Sequence, residues 1–232
     1  MPSRPRIAVI LDENTSGDAT RYEISKNYFR AICDAGGLPF GIPYIVEMVD
    51  IVIREFDGVL SVGGRFACPD EWYLPGQVSK APPSERFAVE RAIVQAYVAQ
   101  GKPVLGICAG MQMLACLNGC LLAPDVQAFV PNALEHDKRG QLHKIRIVEG
   151  SRLAGMIGAQ DLQVNTFHRE AVAQLGKGVI ASAHSEDGVV EAIEVSSHPF
   201  AVGLQWHQEL FATVEHAGNE VFRAFVSACS GE

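Results

Sequence analysis

The chain has 232 residues, of which 48% are hydrophobic and 20% charged, and its 19 basic and 27 acidic side chains give a formal net charge of −8. A chain of this length and composition can bury a sizeable core, and it differs from collagen-like, coiled-coil and disordered sequences. The acidic balance argues against a nucleic-acid partner, because phosphate binding needs clustered lysine and arginine. No apolar run approaches the ~20 residues that span a bilayer, and no signal-peptide core follows the N-terminus. We therefore expect a cytoplasmic protein without membrane partners.

The first half of the chain alternates strand-like and helix-like segments. Apolar runs predict strands at residues 6–11, 38–42, 58–62 and 103–107. Helical spacing of apolar residues predicts helices at 21–34, 46–54, 84–100 and 109–117. Polar or proline-containing stretches at 12–19 and 63–83 are predicted as loops. Strands separated by helices of this length indicate parallel β-α-β units with right-handed crossovers.

The second half has a different pattern, in which short strands are joined by turns. Strands are predicted at residues 142–148, 162–164, 179–183, 189–195 and 201–205, with a closing helix at 219–229. Asp187-Gly188 predicts a hairpin turn. No linker or internal repeat interrupts the chain. The sequence therefore predicts one α/β domain over residues 1–232, with a mostly parallel sheet, flanking helices and extra antiparallel strands in the second half.

The cysteines predict free thiols rather than disulfides, because no secretory signal accompanies them. No Cys-x-x-Cys pair is present, and no cysteine or histidine spacing completes a metal-binding set, so we expect no metal. Five of the six cysteines are interpreted as small apolar side chains, and the sixth, Cys108, is considered separately. The six are Cys33, Cys68, Cys108, Cys116, Cys120 and Cys229.

Cys108 lies between a predicted strand and a predicted helix, in the segment GICAG from Gly106 to Gly110. A strand that ends in Gly-x-nucleophile-x-Gly and opens a helix is typical of a nucleophile elbow, in which the glycines permit a tight turn. The helix dipole and free N–H groups favour a thiolate there, and the Ala109 N–H is placed to stabilise an oxyanion. Cys108 is therefore the candidate nucleophile, and the alternative is a buried cysteine at a helix start.

A second candidate group is the segment QWHQE, which contains His207 and Glu209. On a strand, residues two apart point to the same side, so this imidazole and this carboxylate can meet. A carboxylate beside a histidine fixes its tautomer and raises its basicity, and the histidine then activates a thiol. The order Cys108, His207, Glu209 predicts a cysteine triad. A solvated histidine and glutamate at a strand end is the alternative.

Gly63 and Gly64 directly follow a predicted buried strand. A glycine pair at a strand end can turn backbone N–H groups toward a ligand and so supply a second oxyanion donor, although such pairs more often only make turns. The stretch of about twenty residues after the pair is long for a compact domain. We interpret that stretch as a wall or lid of an active site.

Several segments resemble a known family: GICAGMQ, VNTFHREAV, DGVVEAIE, GLQWHQEL and the opening RIAVILDE. Together they resemble class I glutamine amidotransferase-like hydrolases of the peptidase C26 type, and they are most similar to the γ-glutamyl-γ-aminobutyrate hydrolase group. The resemblance runs over nearly the whole chain. It implies a flavodoxin-like, doubly wound sheet and no metal or organic cofactor. It also implies a small-molecule γ-glutamyl substrate, a place in polyamine catabolism such as putrescine degradation, and a homodimer.

The same resemblance implies roles for individual residues. It implies that Cys108, His207 and Glu209 form the catalytic triad. The N–H groups of Gly64 and Ala109 are expected to form the oxyanion hole. The residues expected on the substrate side are Gln112, Asn165 and His168.

The chain departs from the family pattern at two places. Gln208 stands where relatives carry proline between the histidine and the glutamate, but the spacing of the two is kept. Arg65 and Phe66 stand where relatives carry a glycine and an acid beside the oxyanion position. We therefore expect an altered substrate pocket. Because the α-carboxylate of a glutamyl group needs a donor, Arg65 is a candidate for that contact.

Three functions are consistent with these features. The first is a stand-alone cysteine hydrolase that cleaves a γ-glutamyl amide to glutamate and an amine through a γ-glutamyl thioester. The second is a glutaminase subunit that delivers ammonia to a separate synthase. The third is a binding protein that keeps the fold without turnover, which only the altered loop at Gly64 to Phe66 favours. The sequence favours the hydrolase.

Overall fold

The computed structural model describes residues 3–13 and 20–231. Its strands and helices largely match the predicted ones. Most of the loop predicted at 12–19 lies outside the described residues. The strands are β1 (Arg6–Ile10), β2 (Leu38–Ile42), β3 (Gly58–Ser61), β4 (Val104–Ile107), β5 (Leu121–Ala123), β6 (Gln141–Ile147), β7 (Asp161–Thr166), β8 (Ala171–Gln174), β9 (Val179–Ser185), β10 (Val190–Val195) and β11 (Ala201–Leu204). The α-helices are α1 (Lys26–Asp34), α2 (Val49–Glu55), α3 (Arg86–Ala99), α4 (Ala109–Leu117), α5 (Val126–Phe129), α6 (Arg152–Ile157) and α7 (Glu220–Ser230).

Nine strands form one sheet in the order β2-β1-β3-β4-β11-β10-β9-β6-β7. The first five of these pair in parallel, and their order is that of a flavodoxin-like doubly wound sheet. The remaining four continue the sheet through antiparallel pairs. The predicted fold, including the antiparallel strands of the second half, is confirmed.

Both faces of the inner parallel strands β1, β3, β4 and β11 are buried, as expected when helices cover a sheet on each side, whereas the edge strand β2 is partly exposed. Along β1 the side chains alternate, so that Ala8 and Ile10 pack into one core cluster. Ile7 and Val9 pack into the other, where they meet helices α1 and α7. This burial fixes the register of the strand and therefore the position of the residues that follow it.

Three sequence predictions need correction. The helix predicted to begin at residue 21 begins at Lys26, because the Ser25 side chain accepts from the Asn27 N–H and caps it there. The helix predicted at 46–54 is a 3₁₀ turn at Val46–Met48 followed by α2. A small antiparallel sheet of β5 and β8 was not predicted, since three- and four-residue strands give little periodic signal.

Two further expectations concern membrane-spanning helices and the oxidation state of the cysteines. Within residues 3–13 and 20–231, no helix is long and apolar enough to cross a membrane. All six cysteines are free thiols, in agreement with the sequence prediction. Cys108, Cys116 and Cys120 are buried.

Candidate active site

The backbone at Cys108 forms the sharp turn that the glycine spacing predicts. Cys108 has φ 51° and ψ −106°, an unusual conformation for a non-glycine residue, between β4 and α4. A Cβ on Gly106 would lie 2.5 Å from the Gly110 carbonyl oxygen, and a Cβ on Gly110 would lie 2.1 Å from the Ser61 carbonyl oxygen. Only glycine fits at either position, so the pair allows β4 and α4 to approach while Cys108 is presented at the turn.

His207 lies beside Cys108 and is oriented by Glu209. The His207 Nδ1 and the Glu209 Oε1 are 2.8 Å apart, and the Cys108 thiol lies within hydrogen-bonding reach of the same imidazole. Because Nδ1 is hydrogen-bonded to the Glu209 carboxylate, Nε2 is the ring nitrogen that can interact with the Cys108 thiol. His207 follows β11, and Glu209 lies in the 3₁₀ turn Gln208–Phe211. The two side chains therefore meet through a turn and not through the alternation of a strand, which was the basis of the prediction.

The charges of these groups favour a thiolate–imidazolium pair. Burial opposes the Cys108 thiolate, but the neighbouring His207 and His168 imidazoles lower the pKa of the thiol below its ordinary value. Burial likewise opposes a charged His207, but Cys108 and Glu209 raise the pKa of that imidazole well above its ordinary value. By contrast, burial raises the pKa of the Cys68 thiol to about 12. Cys108 is thus chemically distinct from a buried thiol without a cationic neighbour.

Tyr28 and Asn165 hold His207 in place from two sides. The buried Tyr28 hydroxyl lies 3.4 Å from His207 Nδ1 and accepts from the Gly63 N–H at 3.0 Å. The Asn165 amide donates to the His207 carbonyl at 2.8 Å and accepts from the His207 N–H at 2.9 Å. Both polar ends of Asn165 are therefore engaged by the protein. Tyr28 was missed, because in the sequence it is one of several apolar positions along a predicted helix.

The glycine pair after β3 is held by a buried arginine that the sequence analysis did not identify. The Arg86 guanidinium donates to the carbonyls of Val62 at 2.6 Å and Gly63 at 2.8 Å. It also pairs with Glu90 at 2.6 Å and Asp12 at 2.8 Å. The guanidinium thus fixes the backbone that leads into Gly64, the predicted oxyanion residue.

The predicted substrate residues Arg65, Gln112 and His168 line one pocket with Cys108 and Ala109. The structure also places each of them in a contact within the protein. Arg65 pairs with Asp137 at 2.6 Å. Gln112 donates to the Glu170 carbonyl at 3.0 Å, and the His168 Nδ1 donates to the same oxygen at 3.0 Å.

A second cleft also borders Cys108, with a volume of about 620 Å³. It is lined by His207, Glu209 and other acidic side chains such as Glu23. Arg65 and Phe167 border both this cleft and the first pocket. Cys108 therefore lines both cavities, so groups in either one can reach its thiol.

A separate group of ionisable side chains could hold a metal. The His136, His143 and Glu191 side chains are buried, and each offers a ligand atom within 4.8 Å of the others. The sequence predicts no metal site here, because these residues lie far apart along the chain and no short motif joins them. The pairing of β6, β9 and β10 brings them together.

Comparison with known proteins gives one family and several relatives. The profile of the Peptidase C26 family matches residues 6–209. The γ-glutamyl-γ-aminobutyrate hydrolase PuuD of Escherichia coli K12 is 28% identical, covering 98% of this chain and 94% of that protein. A protein of Mycobacterium tuberculosis described as a candidate glutamine amidotransferase is 30% identical, covering 88% of this chain and 67% of that protein. A candidate GMP synthase subunit from Thermoplasma acidophilum has a similar fold, with a TM-score of 0.68, 19% identity and coverage of 99% of this chain and 96% of that one.

Proposed function

We propose that this chain, which belongs to the Peptidase C26 family, is a stand-alone hydrolase that cleaves a γ-glutamyl amide to glutamate and an amine. The observation that carries the proposal is the strained Cys108 beside His207, whose Nδ1 lies 2.8 Å from Glu209, at the meeting point of two cavities. γ-Glutamyl-γ-aminobutyrate is the first candidate substrate, since relatives over nearly the full chain are named for its hydrolysis.

The reaction would proceed through a thioester at Cys108. The thiolate attacks the γ-carbonyl carbon, and the oxyanion accepts from the N–H groups of Gly64 and Ala109. His207 gives its proton to the amine nitrogen as the C–N bond breaks. A water molecule then loses a proton to His207 and attacks the thioester, which releases glutamate and restores the thiolate. Glu209 orients the imidazole throughout.

The pocket on the Arg65 side supports recognition of the glutamyl end. Arg65 and Arg169 share the single carboxylate of Asp137, at 2.6 Å and 3.3 Å, which leaves one net positive charge beside the pocket. This charge suits the substrate α-carboxylate. The Glu170 carboxylate, held by Tyr73 at 2.9 Å, suits the α-ammonium group. We therefore place the glutamyl group here and the amine in the larger cleft.

The roles proposed for the other predicted substrate residues follow from their contacts. Gln112 donates to Gln205 Oε1 at 3.1 Å as well as to the Glu170 carbonyl, and so shapes the floor of the glutamyl pocket. His168 supports the same wall and adds positive charge near the thiolate. Asn165 acts through the backbone of His207 and is a positioning residue.

The proposal is tested by following glutamate release from γ-glutamyl-γ-aminobutyrate by the isolated chain across pH. Activity needs the thiolate and the imidazolium together, so we expect a bell-shaped profile. The rate falls at low pH as the lowered pKa of Cys108 is crossed, and at high pH as the raised pKa of His207 is crossed. In Glu209→Gln the carboxylate charge is lost, so the alkaline limb moves to lower pH by about 1 unit, together with a large loss of rate.

The control for this profile is Glu215→Gln, which removes an exposed carboxylate from the same segment. Its profile should coincide with that of the wild type. An alkaline limb that stays in place in Glu209→Gln would contradict the role given to Glu209. Absence of glutamate release by the wild type at every pH would contradict the proposed function.

A further inference from the structure

The cluster of His136, His143 and Glu191 lies outside the proposed catalytic triad, and the polar side-chain atoms of two of its members lack hydrogen-bond partners. The Glu191 side chain is fully buried, and neither of its oxygens has a hydrogen-bond partner among the described residues. The same holds for both ring nitrogens of His143, a residue that is only 6% exposed. Burying a carboxylate without a hydrogen-bonded partner costs several kcal/mol, and a cation bound beside it would offset that cost.

The neighbouring contacts fix which ring nitrogen of His136 faces Glu191. The His136 Nε2 lies 3.0 Å from the Asp187 carboxylate, which can only accept, so Nε2 carries a proton. In a neutral ring, Nδ1 then keeps its lone pair, and it lies 3.5 Å from Glu191 Oε1. The Thr166 hydroxyl also contacts this Nδ1 at 3.2 Å, and it has the His136 carbonyl at 3.0 Å as an alternative acceptor for its proton.

The two distances from Glu191 Oε1 suit an ion better than shared protons, and the three ligand atoms lie within 4.8 Å of one another. Glu191 Oε1 lies 3.5 Å from His136 Nδ1 and 3.5 Å from His143 Nε2. A charge-assisted hydrogen bond between imidazolium and carboxylate would be about 2.7–2.9 Å long. Ligands about 2.0–2.1 Å from a tetrahedral zinc ion are instead separated by roughly 3.4 Å.

We propose that His136 Nδ1, His143 Nε2 and Glu191 Oε1 bind a divalent transition-metal ion, with Zn²⁺ as the expected occupant. Two imidazoles and one carboxylate form a ligand set that zinc uses widely. The pairing of His136 with Asp187 is the carboxylate–histidine contact that orients ligands around such ions. The fourth coordination position of the ion would be occupied by a water molecule or by His168 Nε2. This nitrogen lies 3.5 Å from the same Glu191 oxygen.

The role of this ion would be structural. All three ligands are buried, so the site is closed and offers no open face to a substrate. His143 lies on β6, Glu191 on β10 and His136 in the segment between α5 and β6. The ion would join these three parts of the antiparallel half of the sheet, next to the pocket wall that carries His168.

The test measures bound zinc and needs no substrate. The full chain is unfolded in the presence of a chelator and then refolded with or without Zn²⁺. After desalting, its metal content is measured by mass spectrometry. We expect about one Zn²⁺ per wild-type chain and a higher melting temperature for the zinc-loaded sample. Co²⁺ loaded in the same way should give the visible absorption of a four-coordinate site.

Two variants and one control locate the ion. His143→Ala removes a ligand and should abolish binding. Asp187→Asn keeps all ligands and should weaken binding about 10–100-fold, which keeps the test valid where the first variant does not fold. His184→Ala, on neighbouring β9, should bind zinc like the wild type. A wild-type chain that retains no zinc, or variants that retain as much as the wild type, would overturn the proposal and leave the proposed hydrolase function unaffected.

Discussion

Replacing Cys108 with alanine is expected to lower the rate of γ-glutamyl amide hydrolysis by about 10⁴-fold or more, because no other group can form the thioester. The substitution removes one sulfur atom from a buried position, so the loss of stability should be about 1 kcal/mol. The measurement is glutamate release under single-turnover conditions, together with thermal unfolding to show that the fold persists.

Cys116→Ala is the matched control for this variant. Cys116 lies on α4, as buried as Cys108, and burial raises the pKa of its thiol. Because it faces the core and not His207, its loss should leave the rate within about twofold of the wild type while costing similar stability. Substantial hydrolysis by Cys108→Ala, or an equal loss of rate in both variants, would contradict the assignment of the nucleophile.

The second large effect is expected at Arg86, whose side chain is fully buried. Arg86→Met should lower the free energy of unfolding by about 3–5 kcal/mol, because it leaves the buried Glu90 carboxylate unpaired. Methionine keeps most of the apolar stem of Arg86 and removes the guanidinium, whose Cζ lies 4.9 Å from the Phe66 ring centroid, so the loss reports mainly on the charged group. Urea unfolding followed by circular dichroism measures the change.

Two further variants separate charge from packing at this position. Arg91→Met removes an exposed arginine from the same helix and should change the free energy of unfolding by less than about 0.5 kcal/mol. Adding Glu90→Gln to Arg86→Met removes the unpaired charge and should recover part of the lost stability. An equal loss in the single and double variants would show that packing, and not the ion pair, makes Arg86 important.

The parts of the site that could be predicted from the sequence depend on short-range patterns. The turn at Cys108 follows from two glycines and a strand–helix junction within five residues, which leave the backbone few alternatives. Four of the five parallel strands follow from apolar runs separated by helical spacing, whereas the fifth, β11, was predicted only as one of the short strands of the second half. Their carboxyl ends then share one edge of the sheet, which brings His207 to Cys108 although about a hundred residues separate them.

The parts that could not be predicted depend on contacts between distant residues of ordinary appearance. Arg86 lies in a segment with amphipathic spacing, where an arginine is expected to face solvent, yet it is buried and pairs with Asp12 across 74 positions. Tyr28 occupies an apolar helix position, and only the folded chain directs its hydroxyl to His207. The His136, His143 and Glu191 cluster forms only after the antiparallel strands have paired.

The measurement that tests the central claim most directly compares two substrates of the purified wild-type chain, γ-glutamyl-γ-aminobutyrate and free glutamine, with no other protein present. The account predicts rapid glutamate release from the amide and a much lower kcat/KM for glutamine, because the larger cleft beside Cys108 is there to accept an amine with its own side chain. Glutamine cleaved in preference to the amide, or cleavage that requires an added synthase, would contradict a stand-alone γ-glutamyl hydrolase and favour an ammonia-delivering subunit.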